Sequence, residues 1–418
     1  MNILFKSAII IDPKSVFHNK KMDILIKKGQ IEAISNSLET PADTKEIQLE
    51  NLCVSQGWFD SSVSFGEPGY EERETLNNGL LTAAKSGFTA LALQPNTTPI
   101  ADNSGAIAYV KNKSLGSATK IYPIGSLTQQ GKGIDLAELY DMHTHQACSF
   151  GDYKKPIKNP NLLKLALQYT QGFGGLVQSY PQNNDIAGKG IVNENENSTK
   201  LGLKGIPNLA EELQITRDLF ILEYTGGKLH IPTISTSKSV DLIKEAKAKG
   251  LDVTCSVAVH NLLFDDSALF DFNTNFKVLP PLRTKKDCHS LIKGITEGTI
   301  DMITSDHCPM DIENKQVEFD NAKYGTIGLE SAFGALSVLL PTEVIIEKLT
   351  AARNRFCDAN SPIKEGIQAN LSLFTTEGSF LFEKKHIHTT SKNTAFTGQK
   401  LKGKVYGIYA NNQLVLND

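Results

Sequence analysis

Two rhythms of apolar and polar positions divide the 418-residue chain. At its start, "NILFKSAIIID" and "MDILIKKGQIEAIS" carry strand-like apolar runs, and Lys28-Gly29 marks a hairpin turn. The tail from residue 366 has the same character in "ANLSLFTTEG" and "GKVYGIYANNQLVLND". Between these ends, short apolar runs alternate with helical patterns. "TALALQPN" follows "LNNGLLTAAKSG", "KIYPIGS" follows "GAIAYVKNKSLG", "LDVTCSVAV" follows "SVDLIKEAKAKG", and "IDMITSDH" closes the series. Such alternation predicts parallel strands joined by crossover helices. The number of units favours an α/β fold with a (β/α)8 TIM-type barrel over residues 55–365. Residues 1–54 and 366–418 are then expected to pair into a small, discontinuous β-sandwich domain. The polar stretch "NENENSTK" (193–200) reads as an exposed loop.

Composition narrows the class of function. A 40% hydrophobic and 21% charged chain is ordinary for a globular protein. A net charge of −3 argues against a nucleic-acid or anionic-membrane surface, either of which needs a basic patch. The apolar run "SAIII" is too short for a signal-peptide core or a membrane span. The six cysteines (53, 148, 255, 288, 308 and 357) are scattered, without a C-x-x-C pair, which predicts reduced thiols in a cytoplasmic protein.

Barrel enzymes place their chemistry on the loops after the strands. Those loops hold Asp60, Ser62 and Ser64 in "GWFDSSVSFGEPG", Asn96 in "LQPNTTP", and Asp152 in "SFGDYKKP". Gln178 follows in "GLVQSYP", His230 and Thr233 in "LHIPTIST", and Asp306 and His307 in "MITSDHCPM". Asp60, Ser62 and Ser64 form the frame of an Asp-x-His-x-His metal element with hydroxyls in place of imidazoles.

An ordered series of blocks carries a family resemblance. "EPGYEERETLNNGLLTAAKSGFTALALQPNTTPIADN", "LGLKGIPNLAEELQITRDLFI", "FKVLPPLRTKKD", "GTIDMITSDHCP", "YGTIGLE" and "SKNTAFTGQKLKGKVYGIYANNQLV" run nearly end to end. Together they resemble a dihydroorotase of the class found in multifunctional pyrimidine-synthesis complexes, within the amidohydrolase superfamily. The resemblance implies metal-binding histidines at the positions of Ser62, Ser64, Gln178 and Thr233. It implies an arginine gripping the substrate carboxylate at Gly66, a polar substrate contact at Leu279, and a histidine at Met310. Three implied roles survive in kind: Asp152 as a metal ligand, Asp306 as the catalytic carboxylate, and Asn96 as a substrate contact.

The losses have energetic weight. Zinc is held by imidazole, thiolate or carboxylate, and neutral hydroxyls and amides are poor substitutes. A bound metal lowers the pKa of water from about 15.7 to about 7, roughly 12 kcal/mol at about 1.4 kcal/mol per unit. A positioned carboxylate alone contributes about 10²–10⁴-fold, or roughly 3–5 kcal/mol. The residues present therefore predict no resident cofactor. They also predict that Asp152 and Asp306, facing each other without a cation, draw hydrogen bonds from Ser62, Ser64 or Gln178.

Other candidates have blander readings. "DMHTH" (141–145) mimics Asp-x-His-x-His but follows a helical pattern, which places His143 and His145 at a surface helix end. "HIH" (386–388) falls in the C-terminal β region, where alternate residues share a face. Lys154 and Lys155 are expected to be solvated surface residues, His230 a core histidine, and "GFGG" (172–175) a turn.

Three functions follow. On the first, the chain is expected to be a catalytically silent homologue of the dihydroorotases it resembles, acting as a scaffold or regulatory partner, which the resemblance links to aspartate transcarbamoylase. Alternatively, it works with altered chemistry on Asp306 and Asp152. Or it is an active dihydroorotase, converting dihydroorotate and water to N-carbamoyl-aspartate with zinc. The resemblance also implies a homodimer.

Overall fold

The computed structural model describes residues 2–351, 353–357 and 361–417. Five strands open the chain: β1 (Asn2–Ile10), β2 (Lys21–Lys27), β3 (Gln30–Ser35), β4 (Thr44–Ile47) and β5 (Cys53–Gln56). β2 and β3 are joined by the Lys28-Gly29 turn, with both residues at positive φ as a tight primed turn requires. β1 changes neighbour along its length. Its first half pairs with β4 and its second half with β5, across a register shift at Ser7, whose φ is +55°.

Eight parallel strands follow. They are β6 (Trp58–Val63), β7 (Phe88–Leu93), β8 (Lys120–Gly125), β9 (Ser149–Phe150) and β10 (Leu176–Gln178), then β13 (Lys228–Ile231), β14 (Val253–Ala258) and β15 (Met302–Thr304). Between β10 and β13 lies a two-stranded excursion, β11 (Val192–Asn193) with β12 (Gly205–Ile206). Neighbours in the barrel are consecutive from β6 to β15. Closure is made by the parallel bridge Val63–His307, in which Ser64 N donates to His307 O at 2.8 Å. Strands buried on both faces need continuous apolar runs, as in the wholly buried "FTALAL" of β7.

The crossover helices begin at side-chain caps. Thr75, Asn103, Asn159, Thr236 and Thr284 each accept a backbone N–H at the start of Leu76–Lys85, Ser104–Lys113, Pro160–Gln171, Ser237–Ala248 and Lys285–Thr296. Such caps satisfy amides that a helix start leaves without partners. Phe59, Tyr122, Met302 and Phe356 belong to the cluster that packs with the small Ala90 and Ala92 of β7.

The last strands, β16 (Leu371–Leu381), β17 (Lys400–Ala410) and β18 (Gln413–Leu416), join β1–β5 in a second eight-stranded sheet through antiparallel pairing of β16 with β5. Trp58, stacked on Phe333 and in contact with Phe88 and Phe374, packs barrel and sheet together.

Two local expectations are corrected. The stretch 193–200 is not an exposed loop: it holds part of β11 and the helix Glu196–Leu201. The Asn193 and Asn197 amides donate to Asp266 at 2.6 and 2.7 Å, and Asn195 donates to the same carboxylate. The "HIH" histidines do not alternate on a strand. His386 ends a short 3-10 helix, its ring packed by Phe380 and Phe382.

Candidate functional site

The mouth of the barrel holds a cavity of about 20 Å³ lined by Ser62, Gln94, Asp152, Lys154, Gln178, Thr233 and Asp306 among others. Five of the positions singled out from the sequence therefore meet at one place, each delivered by a different strand end. That volume accommodates about one water molecule.

Beneath the cavity, Asp60 fastens the first barrel strand to the last. Its buried carboxylate accepts from Ser305 N at 2.9 Å, Ser62 N at 3.0 Å and the Thr304 hydroxyl. Burial pushes its pKa up, against these hydrogen bonds.

Asp306 lies above it at φ +46°. It accepts from Ser62 Oγ at 3.1 Å, and Gln94 Nε2 in turn donates to Ser62 Oγ at 3.1 Å. The strongest partner is Lys154, whose Nζ lies 2.9 Å from Asp306 Oδ2. This corrects the surface assignment of Lys154. Its side chain is 13% exposed and that of Asp306 1%. A left-handed backbone at Lys154, φ +53°, accompanies this inward placement; Lys155 bonds Gly131 O instead.

Of the hydrogen bonds expected for the facing carboxylates, the one from Ser62 to Asp306 is present, and each carboxylate has further partners of its own. Lys154 neutralises Asp306, while Asp152 is satisfied by Ser126 Oγ at 2.7 Å, Thr128 N at 3.1 Å and the Thr128 hydroxyl. Gln178 donates to Ser149 Oγ at 2.8 Å rather than to either carboxylate. Thr233 sits at φ +48°, and its N–H donates to Ser256 Oγ. A β-branched residue there is strained, and such strain concentrates at functional sites.

The other candidate positions lie outside this cavity. Ser64 and Asn96 bond each other, Asn96 Nδ2 donating to Ser64 Oγ at 2.9 Å. Gly66 is enclosed by its own loop: a Cβ there would lie 1.7 Å from Tyr70 O, so an arginine requires a different backbone. Leu279 packs with Tyr180, Ala187, Ile206 and Ala210. Met310 lines a separate cleft of about 850 Å³ between the 310–316 and 390–393 segments.

Sequence reasoning missed three residues besides Lys154. Tyr153 donates to Asp306 at 3.5 Å, and burial together with the Asp306 charge pushes its phenol well up. Tyr180 lines the cavity, and burial raises its phenol likewise. His260 is fully buried and near enough to Asp306 and Lys154 to feel both charges; burial lowers its pKa to about 4. Neither of its ring nitrogens has a hydrogen-bond partner among the described residues. The strand-end position of "AVHN" was the available signal. His307, also lowered by burial to about 4, accepts at Nδ1 from Gly328 N and Leu329 N, where the helix Leu329–Leu339 starts. His230 is a core residue bonded to Thr254 and Ser256. His143 packs at a tilt against Phe173, its ring centroid 4.8 Å away, at the surface helix Leu139–Thr144.

These donors do not fit a zinc pair. Among the described residues no group of three His, Cys, Asp or Glu side chains is placed to hold a metal ion. An ammonium group already occupies the second oxygen of Asp306, at 2.9 Å from Lys154 Nζ. Chemically, the cavity is a water-sized space beside a carboxylate paired with an ammonium group.

A sequence model described as Dihydro-orotase-like matches residues 52–239. Over 425 residues the chain is 35% identical to the Dihydroorotase of Pelotomaculum thermopropionicum, covering 100% of this chain and 99% of that protein. The chain belongs to the dihydroorotase family. Its likeness to the Dihydroorotase of Geotalea daltonii is 34% over 410 residues, 96% of each chain. Among solved structures it is similar to the L-hydantoinase (dihydropyrimidinase) of Arthrobacter aurescens, with a TM-score of 0.83 at 20% identity over 100% of this chain and 97% of that one. A D-hydantoinase gives a TM-score of 0.84 at 20% identity, over 100% and 96%. The amidohydrolase-type barrel is thus shared with enzymes whose sequences have diverged widely from this one.

Proposed function

We propose that this member of the dihydroorotase family does not hydrolyse dihydroorotate and serves pyrimidine biosynthesis through binding rather than turnover. One observation carries the reading: the Lys154 ammonium is seated on Asp306 where a metal-activated water would have to be deprotonated. The cavity volume supports it, since about 20 Å³ is far below the roughly 300 Å³ at which small-molecule sites begin. Aspartate transcarbamoylase, implied by the family resemblance, is the proposed partner; co-purification of the two untagged proteins tests that part separately.

A second reading is favoured by the full-length identity of about 35% to proteins named Dihydroorotase. On this reading the chain is an active zinc enzyme. Metal analysis of the purified protein with an assay for N-carbamoyl-aspartate separates the two. The silent reading expects sub-stoichiometric zinc and no product; bound zinc with brisk ring opening overturns it. Restoring histidine at Ser62, Ser64, Gln178 and Thr233 is expected to increase zinc uptake only when Lys154→Ala is added. Equal uptake with Lys154 present would remove the lysine from the argument.

A further inference from the structure

At the end of the barrel opposite its mouth, an opening of about 360 Å³ lies between the barrel and the second sheet. Thr89 and Lys120 line it from the amino ends of β7 and β8, and Arg353 from the helix Arg353–Phe356. The sheet supplies two hairpin turns. Lys28 and Gly29 join β2 to β3, and Asn411 and Asn412 join β17 to β18, all four at positive φ. The turns touch: a Cβ on Gly29 would lie 3.6 Å from Asn412 Cβ. Asn370 and Thr89 converge over Gly57, where a Cβ would lie 2.1 Å from Asn370 Oδ1 and from Thr89 Oγ1.

The lining carries one sign of charge. Lys28, Lys120 and Arg353 contribute to it, and among the described residues no carboxylate does. A chain with 46 acidic and 43 basic side chains would ordinarily mix the two. Two other clefts do so: Glu72, Asp311 and Glu313 accompany Lys315 and Lys392 in one, and Asp301 and Glu347 accompany Lys348 and Arg355 in the other. Neither Lys28 nor Lys120 forms an ion pair with a described residue. Arg353 is 5% exposed, and its Nη1 donates to Thr89 Oγ1 at 3.4 Å. Its Cζ lies 6.0 Å from the centre of the Tyr122 ring, and Lys120 Nζ lies 4.9 Å from the same centre. One ring thus holds two like charges near each other. Low-dielectric walls around charges of one sign focus their field, and an anion between them relieves their repulsion.

We infer that this opening is a binding site for a small phosphate ester, of the sugar-phosphate class. Three cations match a phosphate group, with about −1.5 to −2 charge at neutral pH, better than a carboxylate. Arg353 offers a fork of N–H donors, and the lysines offer point charges, both suited to phosphate oxygens. The volume lies within the roughly 300–1,000 Å³ of small-molecule sites, so the phosphate carries a body. The carboxamides of Gln368, Asn370 and Asn412 line the remainder, and among the described residues no aromatic ring does. Such a lining hydrogen-bonds hydroxyls and gives a nucleobase no face to stack on. The bound ester bridges barrel and sheet, whether or not the barrel mouth turns over substrate.

Isothermal titration calorimetry on the full chain with glucose 6-phosphate, inorganic phosphate and glucose tests it. Glucose 6-phosphate is expected to bind at a single site and to raise the melting temperature, because a ligand of the folded state alone stabilises that state. Inorganic phosphate is expected to bind more weakly, and glucose not at all. Lys28→Ala and Lys120→Ala are each expected to weaken the ester about tenfold, through loss of one charge-assisted contact, with an unchanged circular dichroism spectrum. Lys14→Ala, at an exposed lysine elsewhere, is expected to leave binding unchanged. Arg353→Lys keeps the charge, loses the fork and is expected to weaken the ester too; the two exposed lysines carry the test if that variant fails to fold. Three results overturn the proposal: no binding of glucose 6-phosphate at millimolar concentration, binding that survives both alanine variants, or a loss equalled by Lys14→Ala. Glucose or inorganic phosphate binding as tightly as the ester overturns it as well.

Discussion

Lys154 decides the chemistry of the barrel mouth. A buried ion pair adds little net stability, but removing one member strands the other, at a cost of about 3–5 kcal/mol. Lys154→Met is therefore expected to destabilise the protein by about that amount, and adding Asp306→Asn to recover most of it, in a urea-unfolding double-mutant cycle. Equal and additive losses would mean the pair is not coupled. The partnership of Ser62 with Asp306 was legible in the sequence, because both lie at strand ends that a closed barrel must bring together. The lysine was not. Whether "DYKKP" sends a side chain inward depends on one left-handed residue, and a Lys-Lys pair carries no signal for positive φ.

At the scale of elements, alternating strand and helix patterns were readable because burial on both faces imposes apolar runs such as "FTALAL". The segment around residues 192–203 was unreadable because its order comes from elsewhere. Its asparagines look like a solvated loop until Asp266, some seventy residues away, accepts three of their amides. Asp266→Ala leaves buried donors without acceptors, which costs about 1–3 kcal/mol each. Hydrogen exchange is expected to speed up across 193–201 while β7 and β14 stay protected. Unchanged exchange there would show that the helix Glu196–Leu201 stands on its own capping box.

The whole molecule responds to acid through histidines kept neutral. Burial lowers His230 to about 3, and His260 and His307 to about 4. Unfolded histidine titrates near 6.5, so between that value and the folded pKa the unfolded chain binds more protons. Stability from these three is complete above pH 6.5 and is lost as pH falls toward 4, on the order of a few kcal/mol per histidine. The melting temperature is expected to fall steeply across that window, and less steeply in His260→Gln; a flat profile from pH 7 to 4.5 would rule the histidines out. One further consequence follows from the pairing of β5 with β16. During synthesis on the ribosome, the amino-terminal strands are made first and wait, with one edge open, until the chain beyond residue 371 emerges. An unpaired edge recruits other strands, so translation speed through the barrel sets how long each nascent chain stays vulnerable to its neighbours on the same messenger.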